Sequence, residues 1–129
     1  MNHFTHFALL GLAGAAGTLL RAGCTILATR LCGVGFPWGT LAVNVVGSLA
    51  FGLIVGLARS RGTMTVGTET ILLIGLLGGF TTFSSFAFQS VELLEGGRPL
   101  SAAAYVIGTN VAALAAVWAG LRIAGGQWD

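Results

Sequence analysis

The chain has 129 residues, 55% of them hydrophobic and 8% charged; its six basic residues are all arginine, and four acids leave a net charge of +2. Ten charges are too few to solvate a soluble domain of this size, and a pI near 8.9 that rests on two net charges supplies no basic patch for nucleic acid. Residues 1–20, 31–58, 70–91 and 99–121 carry no charge, in runs of 20, 28, 22 and 23 residues, each near the ~20 apolar residues that cross a hydrocarbon core, which excludes a soluble domain, a secreted disulfide scaffold and a disordered tail.

The first run has no Lys or Arg before Arg21, so it lacks the basic n-region of a secretory signal. Three further spans follow it, and a retained helix over about 4–29 is predicted. Cys24 and Cys32 have no metal-type spacing and define no disulfide framework. Gly33-Val34-Gly35-Phe36-Pro37 breaks the chain before a second helix over about 38–58. Arg59-Ser60-Arg61-Gly62 turns it into a third over about 67–94, and Glu95-Gly96-Gly97-Arg98-Pro99 into a fourth over about 101–123. The expected architecture is all-α: one transmembrane domain, 1–129, of four membrane-crossing helices, with Trp38 and Trp128 placed for an aromatic belt.

Glycine is abundant, 21 residues, and falls inside the spans: Gly11, Gly14 and Gly17 line the first helix, while Gly52/Gly56 and Gly75/Gly79 form GxxxG pairs. Lipid gives no hydrophobic drive for helix association, so small residues that permit close backbone approach carry much of it. Packing within the chain and packing against a second copy both use such surfaces, and both are expected. The arginines give little orientation bias. Arg59, Arg61 and Arg122 fall on one side of the membrane, Arg30 and Arg98 on the other, with Arg21 near that second end. A near tie permits insertion in both orientations and an antiparallel pair.

Catalytic sets are missing from the pattern. Glu69, Glu92, Glu95 and Asp129 lie at span ends or in loops and both histidines fall in the first six residues, so neither paired carboxylates nor a nucleophile–base set faces the membrane interior. The spans instead hold neutral polar groups, each costly against lipid and so expected to face helices or a water-filled path. Asn44 and Ser48 share a face at i, i+4; Tyr105 and Thr109 do so on the fourth helix; the third carries Thr81, Thr82, Ser84, Ser85 and Gln89. A serine or threonine can bond its own helix carbonyl. A carboxamide cannot be satisfied so locally, which makes Asn44 a candidate conduction or binding residue.

The third helix reads Gly78-Gly79-Phe80-Thr81-Thr82-Phe83-Ser84-Ser85-Phe86 at its centre. Two glycines followed by two β-branched residues make a weak helix, and a break near 78–82 would free backbone carbonyls, tolerated at bilayer depth only where they are buried in protein or coordinate something. Two such breaks meeting on a two-fold axis would form an oxygen cage suited to a hard cation. Phe80, Phe83 and Phe86 recur every three residues and would lie along one helix face. Ordinary packing explains such spacing, yet hydroxyls interleave with the rings, and the positive edge of an aromatic ring can replace part of a small anion's hydration shell. Donors of this kind with no fixed cation would select anions without trapping them.

At GGFTTFSSF, Gly78 to Phe86, the sequence resembles the Fluc (CrcB) family of fluoride channels. The resemblance continues through the glycine-rich first helix ending in Arg21, Pro37-Trp38-Gly39-Thr40-Leu41, Val43-Asn44-Val45-Val46-Gly47-Ser48 and Tyr105. It implies an antiparallel, dual-topology homodimer with two fluoride pores, multi-pass in the bacterial cytoplasmic membrane. It also implies a structural, untransported Na⁺ held by backbone carbonyls at the break, the matching positions being Gly78 and Thr81. Asn44, Phe83 and Phe86 match pore residues, with Ser84 beside them, and Tyr105 and Thr109 match a polar track on the fourth helix. Arg21 matches the first-helix arginine. Relatives often carry Glu where this chain has Gln89 and a hydroxyl where it has Ala113, which bears on rate rather than on the core motif. Two rivals predict differently. A four-helix multidrug exporter needs a membrane-embedded carboxylate in its first helix, where this chain has none, and a non-transporting membrane subunit would tolerate replacement of Asn44, Phe83 and Phe86.

Overall fold

The computed structural model describes residues 2–62 and 64–125, all helix and connecting turns; Trp128 and Asp129 lie outside them. Helix α1 spans His3–Cys32 and α2 spans Trp38–Arg61; the third membrane span is composite, and α6 spans Pro99–Ile123. All four spans are long and apolar enough to cross a bilayer.

Side-chain caps and glycines set the ends. Asn2 accepts from the Thr5 N–H at 2.8 Å to open α1. Gly33 at φ 80° and Gly62 at φ 59° close α1 and α2, using backbone freedom that other residues lack. Both helices run three residues past the expected ends. The reason is electrostatic: Arg30, Arg59 and Arg61 occupy last turns, where a cation is favoured by the helix dipole, so these arginines end the apolar run without ending the helix. Pro99 starts α6 in the first helical position, two residues earlier than expected, where its missing N–H costs nothing.

The third span is built in pieces: α3 Val66–Thr70, a π-helical segment Ile71–Leu77, α4 Gly78–Phe80, then α5 Phe83–Glu95. The break falls on Thr81 (φ −86°, ψ 160°) and Thr82 (φ −153°, ψ 116°). Gly78, expected within the break, is helical at φ −63°, ψ −36°. Its neighbour Gly79 serves close packing instead, because a β-carbon there would strike the Gly14 carbonyl of α1. Phe80, at the end of α4, and Phe83, at the start of α5, therefore lie on opposite sides of the break and share no helix face.

Glycine contacts hold the bundle together. The Gly52/Gly56 pair packs α2 on α6, where Gly120 answers it: a β-carbon at Gly120 would lie 2.5 Å from the Leu49 carbonyl oxygen and 2.7 Å from the Leu53 nitrogen. Gly75 and Gly79 pack the third span on α1 against Leu10, Ala13 and Gly14, and Gly17 faces Leu76 and Phe80. The close packing expected within the chain thus accounts for both GxxxG pairs. Phe86, Leu93, Ala102 and Tyr105 form a small core with Phe36 and Leu41 beside it. Large apolar side chains such as Leu12, Leu19, Leu114 and Ile123 cover the outside, as lipid-facing surface requires.

Candidate functional site

Beside the break lies a half-open cavity of about 390 Å³, lined by residues of α2, the third span and α6. Seven sequence-predicted residues meet there: Asn44, Ser48, Gly78, Thr81, Phe83, Phe86 and Thr109. Helical periodicity brings Asn44 and Ser48 to it from α2, and Thr109 comes from the face of α6 that carries Tyr105.

Asn44 clasps the backbone of the break. Its Nδ2 donates to the Thr82 carbonyl at 3.0 Å and its Oδ1 accepts the Thr82 N–H at 2.8 Å. In a continuous helix that N–H would bond the Gly78 carbonyl. The Ser85 N–H, which would bond Thr81, instead donates to Thr82 Oγ1 at 3.3 Å, so Thr82 caps α5. These two diversions leave the Gly78 and Thr81 carbonyl oxygens without helical donors, in residues that line the cavity. Neutral backbone oxygens are the ligand type that a hard cation takes, the chemistry that the Na⁺ implied by the family resemblance would need at Gly78 and Thr81. Among the described residues no cluster of His, Cys, Asp or Glu offers an alternative metal site. Thr81 closes α4 by donating both its N–H and its Oγ1–H to the Leu77 carbonyl, each at 2.9 Å.

Of the three phenylalanines lining the cavity, the two that the sequence singles out differ sharply in exposure. Phe86 is 7% exposed, while Phe83 is 77% exposed at the rim, their centroids 5.6 Å apart. Thr109 is 4% exposed, and its Oγ1 is buried without a hydrogen-bond partner. An unpaired buried hydroxyl costs roughly 1–3 kcal/mol, which sets Thr109 apart from the other buried polar side chains. Ser48 likewise makes no hydrogen bond among the described residues and faces the same space.

The remaining predicted residues lie elsewhere. Tyr105 is fully buried behind Phe86, ring centroids 5.1 Å apart, and its hydroxyl donates to Gln89 Oε1 at 3.0 Å. Gln89 lines a second cavity at the α1–α2 turn. Ser84 is exposed, its one side-chain hydrogen bond among the described residues being with Thr82 Oγ1 at 3.4 Å, and Arg21 lines neither cavity. Sequence reasoning missed Phe36, which packs edge-on against Tyr105 at 5.4 Å, and Gly47, whose missing side chain makes room for the Thr81 methyl group and Phe80. An aromatic residue held between Gly35 and Pro37 was the available signal for the first; the second needs the fold.

Residues 8–121 match the family model described as CrcB-like protein, Camphor Resistance (CrcB). A protein of Agrobacterium fabrum named fluoride-specific ion channel FluC is 43% identical over 118 residues, 92% of this chain and 94% of its own length. A protein of the same name from Paracoccus denitrificans is 48% identical over 120 residues, covering 93% and 94%, and one from Nitratidesulfovibrio vulgaris is 45% identical over 113 residues, covering 88% and 91%.

Proposed function

Because the chain belongs to the CrcB family, we propose that it is a fluoride-specific channel in which the cavity beside the break forms part of the anion's path. The observation that carries this reading is the unpartnered buried hydroxyl of Thr109 in a cavity that Phe86 and Asn44 also line. Fluoride gives up water only to donors that replace it. Thr109 and Ser48 supply O–H, the Asn44 carboxamide keeps one N–H beyond the one given to Thr82, and Phe83 and Phe86 supply ring edges that carry positive charge. No arginine or histidine side chain lines the cavity, so no fixed side-chain cation pairs with the anion as it passes.

The function needs no energy source. Fluoride crosses membranes as neutral HF and ionises in the less acidic cytoplasm, and an inside-negative potential worth ~2.3 kcal/mol per charge per 100 mV drives the anion out through a passive pore. Export from a bacterial cytoplasm across the inner membrane follows, with no enzymatic step. The pore is completed by a second, oppositely inserted copy, since Phe83 and Gly78 stand exposed at the cavity's open side. The Gly78 and Thr81 carbonyls, which the break leaves without helical donors, would hold a structural Na⁺, and its charge would offset those oxygens.

Purified protein in liposomes loaded with potassium fluoride or chloride tests this, with efflux followed by an ion electrode. Fluoride efflux without chloride efflux supports the channel. Flux of neither anion returns the chain to a non-transporting subunit.

A further inference from the structure

We propose that the second cavity is the collecting mouth of this pore, with Arg98 drawing the anion toward it and Glu92 opposing that pull; the proposal rests on the channel reading above. The cavity, about 410 Å³, lies where the 33–37 turn meets the end of α5, and Arg98 and Glu92 are the charged residues on its wall. Its floor is aromatic. Phe36 lines it and packs on Tyr105, which packs on Phe86, and Phe86 lines the polar cavity beyond. Gln89 also lines it and holds the Tyr105 hydroxyl. Tyr105 and the core packed around it, Phe86, Leu93, Ala102, Phe36 and Leu41, thus link the linings of the two cavities.

The wall is furnished for an anion. Arg98 makes a single side-chain hydrogen bond, to Ser101 Oγ at 3.4 Å, and forms no ion pair with Glu92 among the described residues. Thr25 and Thr29 line the cavity and their side chains make no hydrogen bond among the described residues, whereas Thr18 on the same helix bonds the Gly14 carbonyl. An unpaired guanidinium beside free hydroxyl donors raises the local concentration of small anions, and a concave low-dielectric wall focuses its field. Across water the gain is modest, about two- to threefold at an ionic strength near 0.01 M, and it is screened as the Debye length shrinks to about 8 Å at 0.15 M.

The test is fluoride efflux from proteoliposomes at subsaturating fluoride, at about 0.01 M and about 0.15 M ionic strength, for wild type, Arg98→Gln, Arg98→Lys and Glu92→Gln. Size-exclusion chromatography of each variant checks its assembly. Arg98→Gln should slow efflux two- to threefold at low ionic strength, with the deficit shrinking at the higher one. Arg98→Lys should match wild type and Glu92→Gln should be faster. A merely structural role for Arg98, through Ser101 or the start of α6, would give a deficit indifferent to salt, and that result overturns the proposal. So does an Arg98→Gln rate equal to wild type in a conducting channel, which leaves the channel reading intact. Wild-type protein that passes no fluoride overturns both.

Discussion

Asn44 and Thr109 are both polar residues on the same cavity, yet they make opposite contributions to stability. Asn44 satisfies two main-chain groups of Thr82, and its replacement by Leu strands a buried donor and acceptor at roughly 1–3 kcal/mol each. Asn44→Leu should therefore lower the thermal midpoint of the detergent-solubilised protein and abolish fluoride flux. Thr109 makes no hydrogen bond, so Thr109→Val should leave the midpoint unchanged or raise it while fluoride flux falls at least tenfold. Thermal melts paired with electrode efflux check both, and a Thr109→Val protein that conducts as well as wild type removes that hydroxyl from the path. Phe83→Ile and Phe86→Ile should each cut flux with assembly preserved, because isoleucine keeps bulk but lacks a ring edge. Unchanged flux in both would take the rings out of the mechanism.

At the scale of elements, the four spans were legible because charge spacing is a strong signal in a membrane protein and helix length is set by the bilayer. The finer structure of the third span was not. Gly78-Gly79 next to Thr81-Thr82 announced weakness without saying which pair would break, since glycine is chosen there for close approach to α1 and only the fold reveals the neighbour. The π-helical segment Ile71–Leu77 had no sequence signature at all: an Ile/Leu run reads as ordinary helix, and the extra residue per turn is settled by packing. Of the seven candidate residues that meet at one cavity, Asn44 and Ser48 share a face of α2 by i, i+4 spacing, while the four from the third span gather around the break itself. Ser84 and Arg21 were named from motif position alone, which fixes no face, and they stand apart. Element packing supplies its own prediction. Gly120 has backbone of α2 within 2.7 Å of where a β-carbon would sit, so Gly120→Val should destabilise the α2–α6 pair by 1–3 kcal/mol or more, read as a lower melting midpoint and poor recovery of folded protein.

The whole molecule must reconcile a cavity holding polar groups with a lipid surround. Backbone oxygens without helical donors are tolerated at bilayer depth only when covered by protein, which is the part the proposed second copy would play beside the exposed Phe83 and Gly78. An antiparallel arrangement requires that the chain insert both ways, which the arginine distribution permits: Arg59, Arg61 and Arg122 against Arg30 and Arg98 is a weak bias. Cys32 is exposed at the end of α1, close to the membrane boundary, and reports on orientation once Cys24 is replaced by Ser. In intact cells a membrane-impermeant maleimide should label about half of the Cys32 population, and the remainder should react after permeabilisation; all or none from outside would mean one topology. Two arginines added at the 59–62 turn should drive the chain to a single orientation. Flux should then be lost, and it should return when a copy biased the other way by arginines in the 33–37 turn is coexpressed. Recovery by mixing two inactive chains is hard to obtain from a parallel pair or a monomer, because neither gains anything from a partner of opposite orientation.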